Sequence, residues 1–153
     1  MINRKSQLQS ALFTGTLLVV LDQICKNWAI NMPNFSVYII SPWLGWEFFK
    51  NPGVAFGIPI SGWIMTIITP PIVFGLAILL NKKYSEPKTS SHEIWGLSLI
   101  ILGATSNFID RLLLNYTADY IRILYSVINI ADVMIICGLF CLLKGNRLID
   151  KTS

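Results

Sequence analysis

Charged residues are scarce in this sequence. Only 13% of its 153 residues are Asp, Glu, Lys or Arg, and 54% are hydrophobic. Soluble domains average about 25% charged residues and about 45–50% apolar residues. They need charged and polar side chains to cover their surface, whereas a surface that faces lipid does not. The composition therefore argues against a soluble globular domain, and it excludes a disordered chain, a collagen and a coiled coil.

Cysteine and histidine are scarce as well. The three cysteines, Cys25, Cys137 and Cys141, leave one over in any set of disulfides, and they lack the spacing of a metal site. We interpret them as small apolar residues that fill gaps in the packing. The single histidine, His92, lies in a loop between two apolar runs. This excludes a Ser-His-Asp or Cys-His nucleophile and a His/Cys metal site.

Long apolar runs are what the sequence has in place of charge. A helix needs about 20 mostly apolar residues to cross a hydrocarbon core about 30 Å thick. Four runs of that length are present, and an outer segment, residues 31–57, separates the first two. We predict an all-α membrane protein with a small extracytoplasmic β-sheet and loop region. It would form one integral membrane domain over residues 1–153, with spans at about 11–30, 58–80, 94–114 and 123–143.

The basic residues predict the orientation of these spans, because short cytoplasmic loops carry an excess of Lys and Arg. With four spans, eight basic residues fall on one side, which places both termini in the cytoplasm: Arg4, Lys5, Lys82, Lys83, Lys88, Lys144, Arg147 and Lys151. No small-x-small cleavage site follows Leu21, so we expect the first run to be a retained span. The basic residues are scattered over short segments without interleaved aromatics, and we expect no nucleic-acid binding.

The outer segment contains two short runs that are typical of β-strands. Residues 36–40 and 46–49 are rich in β-branched and aromatic side chains, and Pro42 and Gly45 lie between them. We predict a small pair of strands lying on the membrane. Aromatic side chains such as Trp43 and Trp46 suit the interface between lipid and water, so the segment could also be an anchoring loop without a role in chemistry.

Polar residues interrupt the apolar runs at a few positions. An ionisable residue inside a membrane span is costly unless it is paired or hydrated, and is therefore a hypothesis about function. The predicted orientation places all of these residues near the outer surface or in the outer half of the bilayer. The fourth helix would begin near Leu124, so Asp132 would lie about 12 Å deep at 1.5 Å per residue.

Helical spacing groups these polar residues further. Asp22 and Lys26 are four residues apart and can pair with each other, and Asn129 and Asp132 share one face of the fourth helix. One stripe of the third helix holds Gly103, Asn107, Asp110 and Arg111. Because Gly103 is small, it lets a neighbouring helix approach closely. The pattern predicts a polar pocket between helices that opens outward.

Carboxylates are the groups left to perform chemistry in this pocket. Two carboxylates at the same depth in a low dielectric cannot ionise together, so one holds a proton while the other stays charged. That division between acid and base can activate water against a peptide carbonyl. The alternative is that the carboxylates only pair with Lys26 and Arg111 to hold the helices together. Basic neighbours within a turn favour this structural role for Asp22 and Asp110 more than for Asp119 and Asp132.

At these residues the sequence resembles the lipoprotein signal peptidases, also called signal peptidase II, which are aspartyl proteases of the bacterial inner membrane. The resemblance extends from Asp22 to Asp132, follows the order of all four runs and consists of five blocks. They are Asp22-Gln23 with Lys26, Asn51-Pro52-Gly53-Val54-Ala55-Phe56-Gly57, Gly103-Ala104 with Asn107, Asp110 and Arg111, Asp119-Tyr120-Ile121, and Asn129-Ile130-Ala131-Asp132.

The resemblance implies a specific activity and a role for each block. The substrate would be a diacylglyceryl-modified prolipoprotein presented from the membrane lipid and cut before its lipidated cysteine. Asp119 and Asp132 would be the catalytic pair, oriented by Asn107 and Asn129. The remaining site residues would bind substrate or brace the pocket: Asn51 and Arg111 on the substrate backbone, Asp22, Lys26 and Asp110 in the polar cluster, and Gly53 and Ala131 beside them. The resemblance implies no metal, no organic cofactor and no obligatory protein partner.

Two other functions stay open at this stage. Small transporters with four spans also use carboxylates inside the membrane, so a proton-coupled transporter is the main alternative. A transporter must reach both sides of the membrane, whereas the polar residues here all fall in the outer half. The other alternative is an assembly factor without catalytic activity, in which every carboxylate only braces the helices.

Overall fold

The structure is a computed structural model that describes residues 3–53 and 62–150, with side chains up to residue 145. It is mostly helical and contains one small antiparallel sheet. Its elements follow in the order α1 Arg4–Asn31, β1 Ser36–Ile40, β2 Leu44–Asn51, α2 Gly62–Ser85, α3 Ser91–Leu114, β3 Thr117–Ile123, β4 Ser126–Ile128 and α4 Ile130–Asp150.

Helix α3 lies at the centre of the bundle, and α1, α2 and α4 all pack against it. Among the described residues, α1, α2 and α3 are long and apolar enough to cross a membrane. Large apolar side chains on the outside of the bundle, such as Phe13, Phe74 and Phe140, are exposed by about two thirds or more, which suits contact with lipid. A fourth crossing by α4 remains a prediction. The start of the predicted second span, residues 58–61, lies outside the described residues.

The start of α1, the end of α2 and the start of α3 meet at one end of the bundle. The Arg4 guanidinium donates hydrogen bonds to the backbone carbonyls of Tyr84, Glu86 and Pro87. The buried Glu93 forms a capping box with Ser90 and an ion pair of 2.7 Å with Lys83. A capping box satisfies amide groups that the first turn of a helix leaves without partners. Consequently α1 and α3 run in one direction and α2 runs in the other.

Helices α3 and α4 approach each other closely at glycines. A Cβ atom added to Gly103 would lie 2.6 Å from the Ala131 carbonyl oxygen, and one added to Gly138 would lie 2.7 Å from the Gly96 oxygen. Only glycine fits at such distances, as in many contacts between membrane helices. The close approach predicted at Gly103 is confirmed, and it fixes the first turn of α4 against the middle of α3.

The sheet lies at the opposite end of the bundle from Arg4 and has the order β1-β2-β3-β4, with every pair antiparallel. The predicted pairing of residues 36–40 with residues 46–49 is confirmed within β1 and β2. The Trp46 ring contacts the rings of Tyr120 and Trp28, with centroids 4.7 and 4.8 Å apart. The sheet is therefore attached to α1 through an aromatic cluster.

The predicted start of the fourth helix is wrong. The predicted span includes residues 123–128, whereas the structure places them in β3, a turn and β4, and α4 begins at Ile130. Ile121 pairs with Ile128 across this hairpin. An apolar, β-branched run joined directly to a helix cannot be divided by hydrophobicity alone. As a result Asp132 lies in the first turn of α4, not the predicted 12 Å inside a helix.

Candidate active site

The two carboxylates of greatest interest come from different elements and meet where the sheet joins the bundle. Asp119 is fully buried on β3, and Asp132, which is partly buried, is the third residue of α4. The Asp119 carboxylate accepts hydrogen bonds from the amides of Asn129 and Asn51, at 2.6 and 2.8 Å. The Asp132 carboxylate accepts one from the Asn107 amide at 2.8 Å. Side-chain amides therefore hold both carboxylates.

Asn129 caps α4 and connects the two carboxylates. Its side-chain oxygen accepts from the Asp132 backbone amide at 2.8 Å, and the Asp132 carboxylate accepts from the Asn129 backbone amide at 3.3 Å. This reciprocal arrangement is a capping box, with an aspartate in the position usually taken by Glu or Gln. The same Asn129 side chain donates to Asp119 and to the Asn107 oxygen. One buried residue thus sets the positions of both acids.

Lys26 fixes which way the Asn107 amide faces. Its ammonium group donates to the Asn107 side-chain oxygen at 2.9 Å. A lysine can only donate, so the Asn107 oxygen must face Lys26, and the Asn107 amino group must face Asp132. Because the Asn129 amide also donates to that oxygen, both asparagines have a single orientation. The orientation of these two asparagine donors is therefore determined by a charge buried in α1.

Asn51 is oriented in a similar way from the end of β2. Its side-chain oxygen accepts from the Gly53 backbone amide at 3.0 Å, and its amino group donates to Asp119. The antiparallel pairing of β2 with β3 places Phe49 opposite Asp119 and Asn51 opposite Thr117. The sheet therefore brings Asn51 to Asp119 across 68 positions of sequence. The remainder of this sequence block, residues 54–57, lies outside the described residues.

A buried ionic cluster supports the site from the side of α1. Lys26 lies 2.8 Å from a carboxylate oxygen of Asp22 and 2.9 Å from one of Asp110, so the predicted pair with Asp22 is confirmed. Ser106 donates to Asp22, and Gln23 donates to Ser106 and Asp110. Buried charges are tolerated when they are paired and hydrogen-bonded. This cluster ties α1 to α3 directly behind Asn107.

The first turn of α4 is attached to α1 and β3. The Tyr120 hydroxyl donates to Asp22 at 2.9 Å and accepts from the Ile130 backbone amide at 3.3 Å. The Asp22 carboxylate also accepts from the Ala131 backbone amide, again at 3.3 Å. An anion at a helix N-terminus is stabilised by the helix dipole. Burial and the charge of Asp22 raise the pKa of Tyr120, so its hydroxyl stays protonated and continues to donate.

Arg111 and Ala131 differ from the other predicted site residues. Arg111 is partly exposed and interacts electrostatically with Asp132, Asp119 and Asp110, but it forms none of the ion pairs found within the described residues. Its guanidinium group is therefore a cation beside the carboxylates that is not committed to one of them. Ala131 is fully buried and contributes its backbone amide and a small side chain.

The surroundings of Asp119 determine its charge. Burial and the neighbouring Asp132 raise the pKa of Asp119 to about 7, although the hydrogen bonds from Asn51 and Asn129 oppose the rise. Desolvation and a like charge both disfavour the ionised form of a carboxyl group. Asp119 is therefore able to gain or lose a proton near neutral pH, as a group that exchanges protons with a substrate must do.

Three residues of the network were not among the predicted site residues: Ser106, Gln23 and Tyr120. Ser106 lies on the predicted stripe of α3, one turn before Asp110, so the helical spacing could have found it. Gln23 is next to Asp22, and Tyr120 is next to Asp119. As neutral side chains they do not carry the desolvation cost that marks a buried charge in an apolar run.

The fold and the site define a membrane protein of several helices with a pair of carboxylates, one fully and one partly buried, at one end of its bundle. Residues 14–145 match the family model described as signal peptidase (SPase) II. A lipoprotein signal peptidase of Clostridioides difficile is 36% identical over 129 residues, which cover 80% of this chain and 84% of the relative. One of Latilactobacillus sakei is 29% identical over 146 residues, which cover 91% and 94%.

Solved structures show the same architecture. One, described as a bacterial membrane enzyme, superposes with a TM-score of 0.78 at 26% identity and covers 95% of this chain and 90% of its own. Another with the same description has a TM-score of 0.72 at 24% identity, which shows a shared fold. The chain belongs to the signal peptidase II family. It is a protease of a bacterial membrane family, and its apolar helices fit a protein that crosses the membrane several times.

Proposed function

We propose that this protein is an aspartyl endopeptidase that removes the signal peptide from diacylglyceryl-modified prolipoproteins, cutting before the lipidated cysteine. The family, whose curated relatives are lipoprotein signal peptidases, supports the substrate class. The bridge from Asp119 through Asn129 and Asn107 to Asp132 supports the aspartyl mechanism. It is the observation on which the proposal mainly depends, because it holds two carboxylates in one buried network.

The chemistry follows from one proton shared by the pair. Asp132 in its ionised form takes a proton from a water molecule, whose oxygen attacks the scissile carbonyl carbon. Asp119 in its protonated form gives its proton to the carbonyl oxygen, which forms a tetrahedral intermediate. The C–N bond then breaks as the leaving nitrogen takes the proton that Asp132 received from water, and a hydroxyl group of the intermediate returns a proton to Asp119. The high pKa of Asp119, about 7, supports its role as the acid. Both carboxylates thus return to their starting protonation states after each turnover, and the pair titrates as a unit.

The other site residues bind substrate or position the pair. Arg111, with its uncommitted guanidinium group, and Asn51 hold the substrate backbone beside the carboxylates. Asn107 and Asn129 orient the acids. Asp22, Lys26 and Asp110 brace the network from α1 and α3, and Gly53 and Ala131 supply backbone amides that orient Asn51 and anchor α4.

We also propose that the protein lies in the bacterial inner membrane with both termini in the cytoplasm and α4 as the fourth span. The described basic residues near the ends of the helices support this orientation, because Arg4, Lys83 and Lys144 lie at the end of the bundle opposite to the sheet. The excess of Lys and Arg marks a cytoplasmic end. The sheet and the carboxylate pair then face the outer surface, where signal peptides are removed from exported proteins.

Cleavage of a diacylglyceryl-modified prolipoprotein by the purified chain in lipid, with a metal chelator present, tests this function. We expect the wild type to cut before the lipidated cysteine. Asp119→Asn and Asp132→Asn should each lower kcat by at least about 10²-fold, since positioned acid–base groups contribute 10² to 10⁴. Glu47→Gln is the matched control, because Glu47 is an acid on the same sheet that pairs with Arg122 and Tyr38, outside the site.

The results of this assay distinguish the proposed peptidase from a protein in which the carboxylates have only a structural role. Full activity in either aspartate variant would contradict the catalytic pair. A well-folded wild type that leaves the prolipoprotein intact would contradict the proposed reaction. If the aspartate variants lose thermal stability and the wild type shows no cleavage, the carboxylates only brace the helices.

A further inference from the structure

A groove separates α1 from α2 near the end of the bundle that holds Arg4. Both helices pack on α3, and between them lies a cavity of about 450 Å³. The residues that line it form one face of each helix, with the spacing i, i+3, i+4, i+7 on both: Lys5, Leu8, Gln9 and Leu12 on α1, and Ala77, Leu80, Asn81 and Tyr84 on α2. We call this surface the α1–α2 groove.

The α1–α2 groove changes from polar to apolar along its length. α1 begins at Arg4 and α2 ends at Ser85, so Lys5 and Tyr84 lie at the outermost turns of the groove. Leu12 and Ala77 lie about two turns further into the bundle and provide apolar walls, and both are exposed. The groove therefore offers polar and charged groups at the membrane surface and hydrocarbon contacts below it, which is the polarity profile of a phospholipid.

The charges around the polar end are positive. None of the residues that line the α1–α2 groove is acidic. Lys82 is largely exposed and lies 4.0 Å from Glu86, and the two acidic residues nearby, Glu86 and Glu93, both pair with Lys83 as well. The Arg4 guanidinium donates to the carbonyl of Tyr84, which places a second positive charge beside the groove. The electrostatic field at this end thus favours an anionic occupant.

The positive charge at this end also favours one of the possible occupants of the groove over the others. The first region of a signal peptide is positively charged, and a second copy of this chain would bring the same basic residues, so both would be repelled at the polar end. Basic pockets between membrane helices bind anionic lipid head groups. We propose that the α1–α2 groove binds an anionic phospholipid, with its head group at Lys5 and an acyl chain between Leu12 and Ala77.

Binding of phosphatidylglycerol and of phosphatidylcholine with the same acyl chains to the full chain in detergent, followed by native mass spectrometry, tests this site. We expect phosphatidylglycerol to bind more tightly. Lys5→Gln should weaken its binding about fivefold, the effect of one basic residue near an anionic lipid, and should leave phosphatidylcholine binding unchanged. Ala77→Phe fills the groove and should weaken binding of both lipids. Lys5 is exposed on the first turn of α1, so its substitution does not disturb folding.

Two control variants match these substitutions. Lys144→Gln removes one exposed charge at the same end of the bundle but outside the groove, and Ile78→Phe enlarges an exposed residue of α2 that does not line it. Both should bind lipid as the wild type does. Equal binding of the two lipids by the wild type would overturn the proposal. If Lys144→Gln weakens phosphatidylglycerol binding as much as Lys5→Gln does, the effect comes from general surface charge, and the proposal is overturned as well. Peptidase activity is not needed for any of these measurements.

Discussion

Asparagine performs a task at this site that neither aspartate nor glutamate could. Its oxygen and its amino group lie in one rigid plane and point in different directions from the same carbon atom, so a residue that fixes the oxygen also fixes the donor. Lys26 does this for Asn107, and the Gly53 amide does it for Asn51. The carboxylates therefore face donors whose direction is set by the folded protein itself.

The pKa of Asp119 predicts how activity depends on pH. Burial and Asp132 raise this pKa to about 7, so the carboxyl group is protonated below neutral pH and loses its proton above it. Because the proposed mechanism needs that proton, kcat/KM should fall above pH 7 by about tenfold per pH unit. The hydrogen bond from Asn51 lowers the pKa of Asp119. Its removal in Asn51→Ala should raise the pKa and shift the alkaline fall in activity to higher pH.

This prediction is checked by pH profiles of kcat/KM for the wild type, Asn51→Ala and the control Glu47→Gln. The position of the alkaline limb is compared, not the height of the profile, since Asn51→Ala also loses a contact to substrate. Glu47→Gln should have the limb of the wild type. A limb that moves to lower pH in Asn51→Ala would contradict the assignment of the titrating proton to Asp119.

Among the elements, the site combines residues on helix faces, which the sequence predicts well, with a contact between strands, which the sequence does not predict. The stripe from Gly103 to Asp110 on α3 follows from helical spacing, and the structure places Lys26 of α1 against it. The contact between Asn51 and Asp119 depends instead on the register of β2 with β3. Hydrophobicity does not encode this register. Nor does it show where α4 begins, because the end of β3, β4 and α4 follow each other as one apolar run.

The contact between α3 and α4 predicts the effect of a single methyl group. A Cβ atom on Gly103 would lie 2.6 Å from the backbone oxygen of Ala131, which cannot move without the first turn of α4. Gly103→Ala should therefore displace Asp132 and lower kcat. Overpacking of this kind costs about 1–3 kcal/mol. Gly75→Ala on α2 is the matched control, because an added Cβ there meets nothing within 4 Å, and alanine in a helix is favoured over glycine by up to about 1 kcal/mol.

Thermal unfolding in detergent and the cleavage assay measure both variants. Gly103→Ala should unfold at a lower temperature and cleave more slowly, whereas Gly75→Ala should unfold at the same or a slightly higher temperature with unchanged kcat. Loss of activity in Gly75→Ala to the same extent would show that helix glycines matter for flexibility in general, and not for the close contact at Ala131.

In the whole molecule, basic residues lie at one end of the bundle and the carboxylate pair lies near the other. This difference between the ends predicts how the protein is oriented in the membrane. Arg4 and Lys83 lie at one end, where α1 and α3 begin. Asp119 and Asp132 lie near the other end, where the sheet joins the bundle. A substrate anchored by lipid would reach the carboxylates only from the leaflet on the sheet side. The proposed orientation can therefore be tested apart from catalysis.

Cysteine labelling in intact spheroplasts makes that test. Cys25, Cys137 and Cys141, which are all free, are first replaced by alanine, and single cysteines are then introduced as Val37→Cys on β1 and Lys88→Cys in the loop between α2 and α3. Both positions are exposed, so a difference in labelling between the two variants reports the side of the membrane on which each position lies. A maleimide that cannot cross membranes should label the Val37→Cys protein at once, and the Lys88→Cys protein only after permeabilisation. The reverse result would place the carboxylate pair on the cytoplasmic side, where an exported prolipoprotein could not present its cleavage site to it.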